Sequence, residues 1–183
     1  SLTVDAGGRI EAGLGYAAGY GPGTPGTADN NHRGAAHGGK GADAPAYPTT
    51  TYGSVVAPVA IGSGGCHNPG GGAIRLTVAG PITNNGIISV NAPDMQYACG
   101  SGGSLYIVAG SLAGTGRFRA NGGTASGTSG GGGGRIALMV TNASADFSGL
   151  ILTNVTAYGG TGPSGNGGAG TLYLRTASQG PND

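Results

Sequence analysis

In three segments of the chain, every second residue is apolar, and each segment follows a run of glycines. In the second segment, Leu105, Ile107 and Ala109 alternate with Tyr106 and Val108. A period of two residues is typical of a β-strand that buries one face. The inward-facing positions of the three predicted strands are Ile74, Leu76 and Val78, then Leu105, Ile107 and Ala109, then Ile136, Leu138 and Val140.

This pattern returns at a nearly constant interval. The equivalent positions Ile74, Leu105, Ile136 and Leu172 are 31, 31 and 36 residues apart, which indicates a repeat architecture. Strands of successive repeats would pair in parallel, roughly 4.8 Å apart. The predicted fold is all-β: a right-handed parallel β-helix (solenoid) with coils of about 31–36 residues and glycine-rich turns, forming a single domain over residues 1–183. The predicted second-strand positions of the repeats are Ile88, Phe118 and Val155.

The two ends of the chain contain complementary parts of one repeat. Residues 1–8 match the closing half, so Leu2 and Val4 are predicted to take the positions that Ile88 and Val90 have in a full repeat. Residues 167–176 contain the opening half and nothing that completes it. An uncovered strand edge is ready to pair with another chain.

We therefore expect subunits to join head to tail, with Leu2, Val4, Leu172 and Leu174 at the joint. The sequence has no initial Met and no signal peptide, so the chain is expected to be a processed protein or an excised fragment. The alternative to a filament subunit is a longer tandem array that was cut at an arbitrary point.

Residues 21–65 form a long insertion between the first half-repeat and the first full one. The insertion contains five of the ten prolines and two of the three histidines, His32 and His37. It is predicted to be irregular surface chain with one extra strand at residues 54–61, and it is the expected place for a lateral contact. The histidines lack the spacing of a zinc site, so no metal and no cofactor are predicted.

Composition excludes several classes of protein. Glycine supplies 44 of 183 residues without a Gly-X-Y period, which excludes collagen. Only 8% of residues are charged and the net charge is +1, so nucleic acid is not an expected partner. No apolar run approaches the ~20 residues that span a membrane. Only seven residues are acidic and Glu11 is the one glutamate, so the paired carboxylates of a glycan-cleaving enzyme are not expected.

Cys66 and Cys99 both precede a first strand in neighbouring repeats. Stacked repeats would bring them within the Cα separation of a disulfide, ~4.4–6.8 Å, and two free buried thiols are the alternative. A disulfide implies an oxidising compartment, so an extracellular or cell-surface location is expected. Asn142 and Asn154 begin Asn-X-Ser/Thr sequons and are candidate glycosylation sites, with Asn142 the more accessible of the two.

The segments GGSLYIVAGSLAGTGRFRANGG and GGGGGRIALMV resemble the glycine-rich tandem repeats of large secreted or cell-surface proteins of bacteria. The resemblance covers residues 62–176 and implies a stalk or adhesive region of the parallel β-helix type. We expect a non-enzymatic structural protein: a subunit of an extracellular filament assembled by β-strand complementation, or the shaft of an adhesin. Its main partner would be a second copy of itself. The alternative is a carbohydrate-binding module with a glycan partner, and a glycan lyase or hydrolase is a further alternative.

Overall fold

A computed structural model describes residues 1–26, 32–42 and 49–179, which form nine β-strands and one short 3-10 helix. The 3-10 helix spans Leu152–Asn154. The strands are β1 (Leu2–Val4), β2 (Arg9–Glu11), β3 (Ala73–Asn84), β4 (Ile87–Ser89), β5 (Ser104–Ala113), β6 (Arg117–Arg119), β7 (Arg135–Val140), β8 (Val155–Thr156) and β9 (Thr171–Arg175).

The strands form two sheets in which every neighbouring pair is parallel. The first sheet has five strands in the order β1-β3-β5-β7-β9, and the second has four in the order β2-β4-β6-β8. Successive strands of the chain therefore alternate between the two sheets. Apolar side chains from both sheets pack into one buried cluster, with Phe118, Ile82 and Ile88 among its largest fully buried members.

The expected right-handed parallel β-helix is wrong. The described residues form two separate parallel sheets in a compact arrangement, and the described part of residues 12–72 contributes no strand to either. Instead, part of the insertion packs among the glycine-rich segments of later repeats: Ala35 N donates to Cys99 O at 3.1 Å, and Gly132 N donates to Ala35 O at 2.8 Å. The repeat period describes only the repeated segments and contains no information about where the inserted chain packs. The prediction of regular coils therefore left the insertion out.

The predicted register of the repeats is confirmed. In the first sheet, Ile74 pairs with Leu105, Leu105 with Ile136 and Ile136 with Leu172. In the second sheet, Ile88 pairs with Phe118 and Phe118 with Val155. Leu105, Ile136 and Phe118 are almost completely buried, and full burial of such a side chain contributes about 1.5–3 kcal/mol.

The predicted position of the first strand is wrong. Leu2 lies beside Ile82 and Val4 beside Asn84, so β1 belongs to the first sheet and not to the column of Ile88. On the side of β4 away from β6, the neighbouring strand is β2, which the sequence analysis did not identify. The cause is the length of β3: it runs for 12 residues through a register shift between Val78 and Pro81, so its second half can pair with β1.

The insertion contacts the first residues of β5 and β7 and does not form the extra strand predicted at residues 54–61. Ser104 Oγ donates to Ala60 O at 2.6 Å, and Arg135 Nε donates to Tyr52 O at 2.8 Å. Backbones in the glycine-rich segments approach so closely that an ideal Cβ on Gly103 would lie 1.7 Å from Gly72 O. This approach explains why glycine is required there.

Candidate functional site at the sheet edges

The first sheet ends in two different edges. At one edge, β1 pairs only with residues 82–84 of β3, so residues 73–78 of β3 have a described neighbour, β5, on one side only. At the other edge, β9 pairs with β7 and with no other described strand. Unpaired backbone N–H and C=O groups therefore lie along half of β3 at one edge and along β9 at the other.

Burial along the first sheet falls towards both edges. The inward column is completely buried at its centre, where Leu105 and Ile136 are 0% exposed. At the edges, Ile74 is only partly buried and Leu172 is 45% exposed. The same apolar column is thus exposed at both of its ends, where no further strand of the described residues packs beside it.

Within the described residues, the second sheet also has two edges without a strand neighbour. Each lies at the same end of the strand order as an edge of the first sheet. β2 begins its strand order and β8 ends it. On β2, Arg9 donates two hydrogen bonds to the carboxylate of Glu11, at 2.9 and 2.7 Å. This pairing lowers the pKa of Glu11. Each end of the molecule therefore presents one strand edge from each sheet.

An arginine and a tyrosine mark opposite edges of the outer face. The guanidinium carbon of Arg75 lies 5.4 Å from the ring centre of Tyr106, within cation–π distance. Following the same register position across the sheet leads from Tyr106 to Ala137 and then to Tyr173 on β9. The guanidinium of Arg75 thus lies at one edge of the first sheet and the ring of Tyr173 lies at the other edge. Both are on the outer face and at the same register position.

All four residues predicted for the joint lie on edge strands. Leu2 and Val4 are on β1, and Leu172 and Leu174 are on β9, at the opposite edge of the same sheet. Val4 is buried against the core, whereas the other three are partly or largely exposed. Sequence reasoning did not identify the edge of β3 at Ile74 and Arg75, which the three residues of β1 leave without a described strand neighbour because β3 has 12 residues.

The two cysteines are buried and free in the structure, so the predicted Cys66–Cys99 disulfide is not formed in it. Cys66 Sγ donates a hydrogen bond to the carbonyl of Gly26 at 3.2 Å. The inserted chain bonds to the backbone of both residues: Cys66 N donates to Arg33 O at 3.4 Å, and Ala35 N donates to Cys99 O. The backbone of the insertion therefore forms hydrogen bonds with the turns that contain Cys66 and Cys99. In a simple stack of repeats, these turns would bond to each other instead.

The two sequons differ in accessibility, in the order expected from the sequence. Asn142 is exposed in the turn after β7. Asn154 is half-buried, and its Nδ2 donates to Thr115 O at 2.9 Å. A glycan on Asn154 would replace one of the two Nδ2 hydrogens and would have to fit beside Thr115, whereas Asn142 is exposed.

His37 of the insertion is a buried titratable group. Its Nδ1 donates to Gly102 O at 2.8 Å, and its ring packs on Tyr52 with centroids 4.6 Å apart. Nε2 has no hydrogen-bond partner among the residues that the structure describes. Burial, with a smaller contribution from the charge of Arg135, lowers the pKa of His37 to about 4. The imidazole is therefore neutral at pH 7 and holds the insertion against the glycine-rich segment at Gly102.

In the described part of the chain, no group of three or more His, Cys, Asp or Glu residues is arranged to hold a metal ion. The helical content there includes no segment with the length and apolar character needed to cross a membrane. Comparisons of the chain with protein-family models, with curated proteins and with solved structures find no match. Function is therefore inferred from the geometry of the edges and surfaces alone.

Proposed function

We propose that this protein is a non-enzymatic structural subunit that assembles head to tail into an extracellular filament or the shaft of a surface adhesin. The observation that supports the proposal most directly is the half-occupied edge of β3. Residues 82–84 pair with β1 of the same chain, while residues 73–77 have no described strand on that side. In the proposed joint, the five residues of β9 from a second copy fill this vacant half.

The register of the joint follows from the sheet itself. Through β5 and β7, Leu172 lies in the column of Ile74, and Leu174 lies in the column of Leu76. Continuing this register into a second copy places Leu172 beside the next copy's Ile74. The exposed ends of the apolar column then cover each other, and burial of apolar area contributes about 25 cal/mol per Å².

The second sheet supports the same direction of assembly. β8 and β2 lie at the same two ends as β9 and β1, so a docked copy can form two strand pairs at once. In the continued register, Val155 lies beside the next copy's Ile10, and Thr156 beside its Glu11. The two edges differ from each other, so the contact is heterologous and repeats without closing into a dimer.

A cross-linking experiment tests the proposed register. In one chain, Arg75→Cys and Tyr173→Cys stand three strand steps apart, about 14 Å, which is too far for a disulfide within the molecule. In the joint they are direct neighbours. We expect oxidation to give a ladder of dimers, trimers and larger species on a non-reducing gel.

Two matched variants serve as controls for the ladder. Thr77→Cys with Tyr173→Cys places the cysteines two residues out of register, and we expect little cross-linking. Arg75→Cys with Tyr106→Cys joins neighbouring strands of one chain and should oxidise within the monomer. Equal ladders from the in-register and out-of-register pairs, or monomers only from the in-register pair at every protein concentration, would show that the proposed joint is incorrect.

Carbohydrate binding is the second candidate function. It is favoured by a polar cleft on the outer face of the second sheet, which has a volume of about 560 Å³ and is lined by Arg117, Arg119, Asn121 and Tyr158 among others. This volume lies within the range of small-ligand sites, roughly 300–1,000 Å³. The chemistry of the cleft decides which sugars it fits.

A further inference from the structure

Two arginines enter the cleft from one short strand. Phe118 at the centre of β6 points into the core and is 1% exposed, so Arg117 and Arg119 on either side of it face outwards together. Both line the cleft. Among the described residues, neither guanidinium forms a hydrogen bond or an ion pair; the ion pair found nearby joins Arg9 to Glu11.

The two guanidinium groups are close enough to repel each other. Partial burial, together with the positive charges of Arg117 and Arg9, lowers the pKa of Arg119. The protein offsets little of this repulsion, because the nearby carboxylate of Glu11 is already bound to Arg9 at 2.7 Å. An anionic group in the cleft would relieve the repulsion and accept the unused guanidinium N–H groups.

A ladder of asparagines adds further hydrogen-bond donors. Asn91 Oδ1 accepts from Asn121 N at 2.8 Å, and Asn121 Oδ1 accepts from Tyr158 N at 2.8 Å. Since backbone N–H groups bond to both side-chain oxygens, the groups these amides leave for a ligand are their NH₂ donors. No described residue accepts a hydrogen bond from either NH₂ group. The floor of the cleft therefore offers donors to a ligand.

The rim of the cleft provides one acidic group and one aromatic surface. Asp94 uses Oδ1 to accept from Thr124 N at 2.7 Å, so part of its carboxylate is already satisfied within the protein. Tyr158 is 62% exposed beside the cleft and presents an aromatic ring to solvent. The two arginines outnumber the single aspartate, so the cleft as a whole is positively charged although the chain is almost neutral.

We propose that this cleft binds an acidic polysaccharide, with Arg117 and Arg119 binding a uronate carboxylate and Tyr158 packing against a sugar ring. A guanidinium matches a carboxylate with two parallel hydrogen bonds, which explains the arginines in a way that a neutral sugar does not. The asparagine NH₂ groups bind hydroxyl and ring oxygens of the same chain. A nucleic acid is disfavoured because only two basic residues, Arg117 and Arg119, line the cleft, which is fewer than an extended phosphate backbone needs.

This inference rests on the carbohydrate-binding candidate and not on filament formation. β6 has a strand neighbour on each side, so both arginines lie away from the free edges. Binding can therefore be measured in a Leu172→Asp background, in which the proposed joint is blocked. Failure of assembly and failure of ligand binding are then separate results.

Isothermal titration calorimetry with two matched probes tests the proposal. Polygalacturonate presents free carboxylates, and fully methyl-esterified polygalacturonate has the same sugar backbone without the charge. We expect binding to the first and at least about tenfold weaker binding to the second, because charge-assisted hydrogen bonds are lost.

Variants then locate the site. Arg119→Gln and Tyr158→Ala are each expected to weaken binding of polygalacturonate about tenfold. Lys40→Gln removes the same charge from an exposed residue that does not line the cleft, and it should leave the affinity unchanged. The proposal is overturned if neither probe binds, if the esterified probe binds equally well, or if Lys40→Gln weakens binding as much as Arg119→Gln. Stronger binding to a sulfated glycan or to single-stranded DNA than to polygalacturonate would also overturn it.

Discussion

Arg75 and Tyr173 occupy the same outward register position at opposite edges of the first sheet, with Tyr106 and Ala137 in the same position on the two strands between them. Arg75 already contacts the ring of Tyr106, its neighbour within the chain. In the proposed joint, Tyr173 of a second copy lies on its other side. The guanidinium would then lie between two aromatic rings, each such contact contributing about 0.5–1 kcal/mol.

Leu172→Asp is expected to prevent assembly without unfolding the subunit. Leu172 is 45% exposed on β9, so its loss costs the isolated chain little, whereas a carboxylate cannot be buried beside Ile74 of another copy. Sedimentation velocity and electron microscopy should show monomers of the variant, whereas we expect filaments of the unaltered chain. Leu14→Asp is the matched control, since Leu14 is 76% exposed and lies on no strand. Loss of filaments in both variants would argue against a specific role for β9.

Acid is expected to destabilise the subunit through His37. The unfolded chain binds a proton with a pKa near 6.5, whereas the folded state does so only near 4, so protonation favours unfolding. The contribution of the neutral histidine is complete above pH 6.5 and is lost as the pH falls towards 4. The loss amounts to about 3 kcal/mol.

Urea unfolding at several pH values measures this loss. His37→Asn keeps a donor for Gly102 O but does not titrate, so the slope attributable to His37 should disappear between pH 6.5 and 4. His67→Asn replaces an exposed histidine and should keep the slope of the unaltered chain. An unchanged slope in His37→Asn would show that another group causes the acid sensitivity.

Gly103→Ala is expected to destabilise the fold by about 1–3 kcal/mol or more, because the new methyl group would overlap a backbone carbonyl that cannot move freely. The ideal Cβ lies 1.7 Å from Gly72 O. Gly13→Ala is the matched control, since nothing lies within 4 Å of the Cβ that it adds. Thermal unfolding compares the two variants. Similar melting temperatures for both would contradict the tight packing of the glycine-rich segments.

Cys66 and Cys99 are expected to be free thiols that react slowly in the folded protein. Both are buried, and burial raises the pKa of Cys99, which reduces its reactive thiolate. Alkylation without reductant, followed by intact-mass measurement, should add two labels after unfolding and few before it. A chain that accepts no label even when unfolded would contain the Cys66–Cys99 bridge predicted from the sequence.

The strands of the full repeats and their pairing partners were predictable because they depend on local pattern and on repetition, whereas the partner of β1 was predicted wrongly and β2 was not identified. Alternating apolar residues identified the inward column of Leu105, and the interval of 31 residues gave its neighbours Ile74 and Ile136. The position of Leu172 beside Ile136 followed from the same reasoning.

The sequence by itself therefore determined which residues form the strands of the repeats, which of their side chains face the core and how those strands align. Only the tertiary structure decided the rest: the division into two sheets with glycine-rich chain outside them, the pairing of β1 with the second half of β3, and the packing of the insertion against Cys99 and Gly102. Alternation and repetition are properties of neighbouring and equivalent residues. The path of the insertion depends instead on contacts between segments without a common pattern, and backbone hydrogen bonds between glycine-rich segments leave almost no trace in side-chain identity.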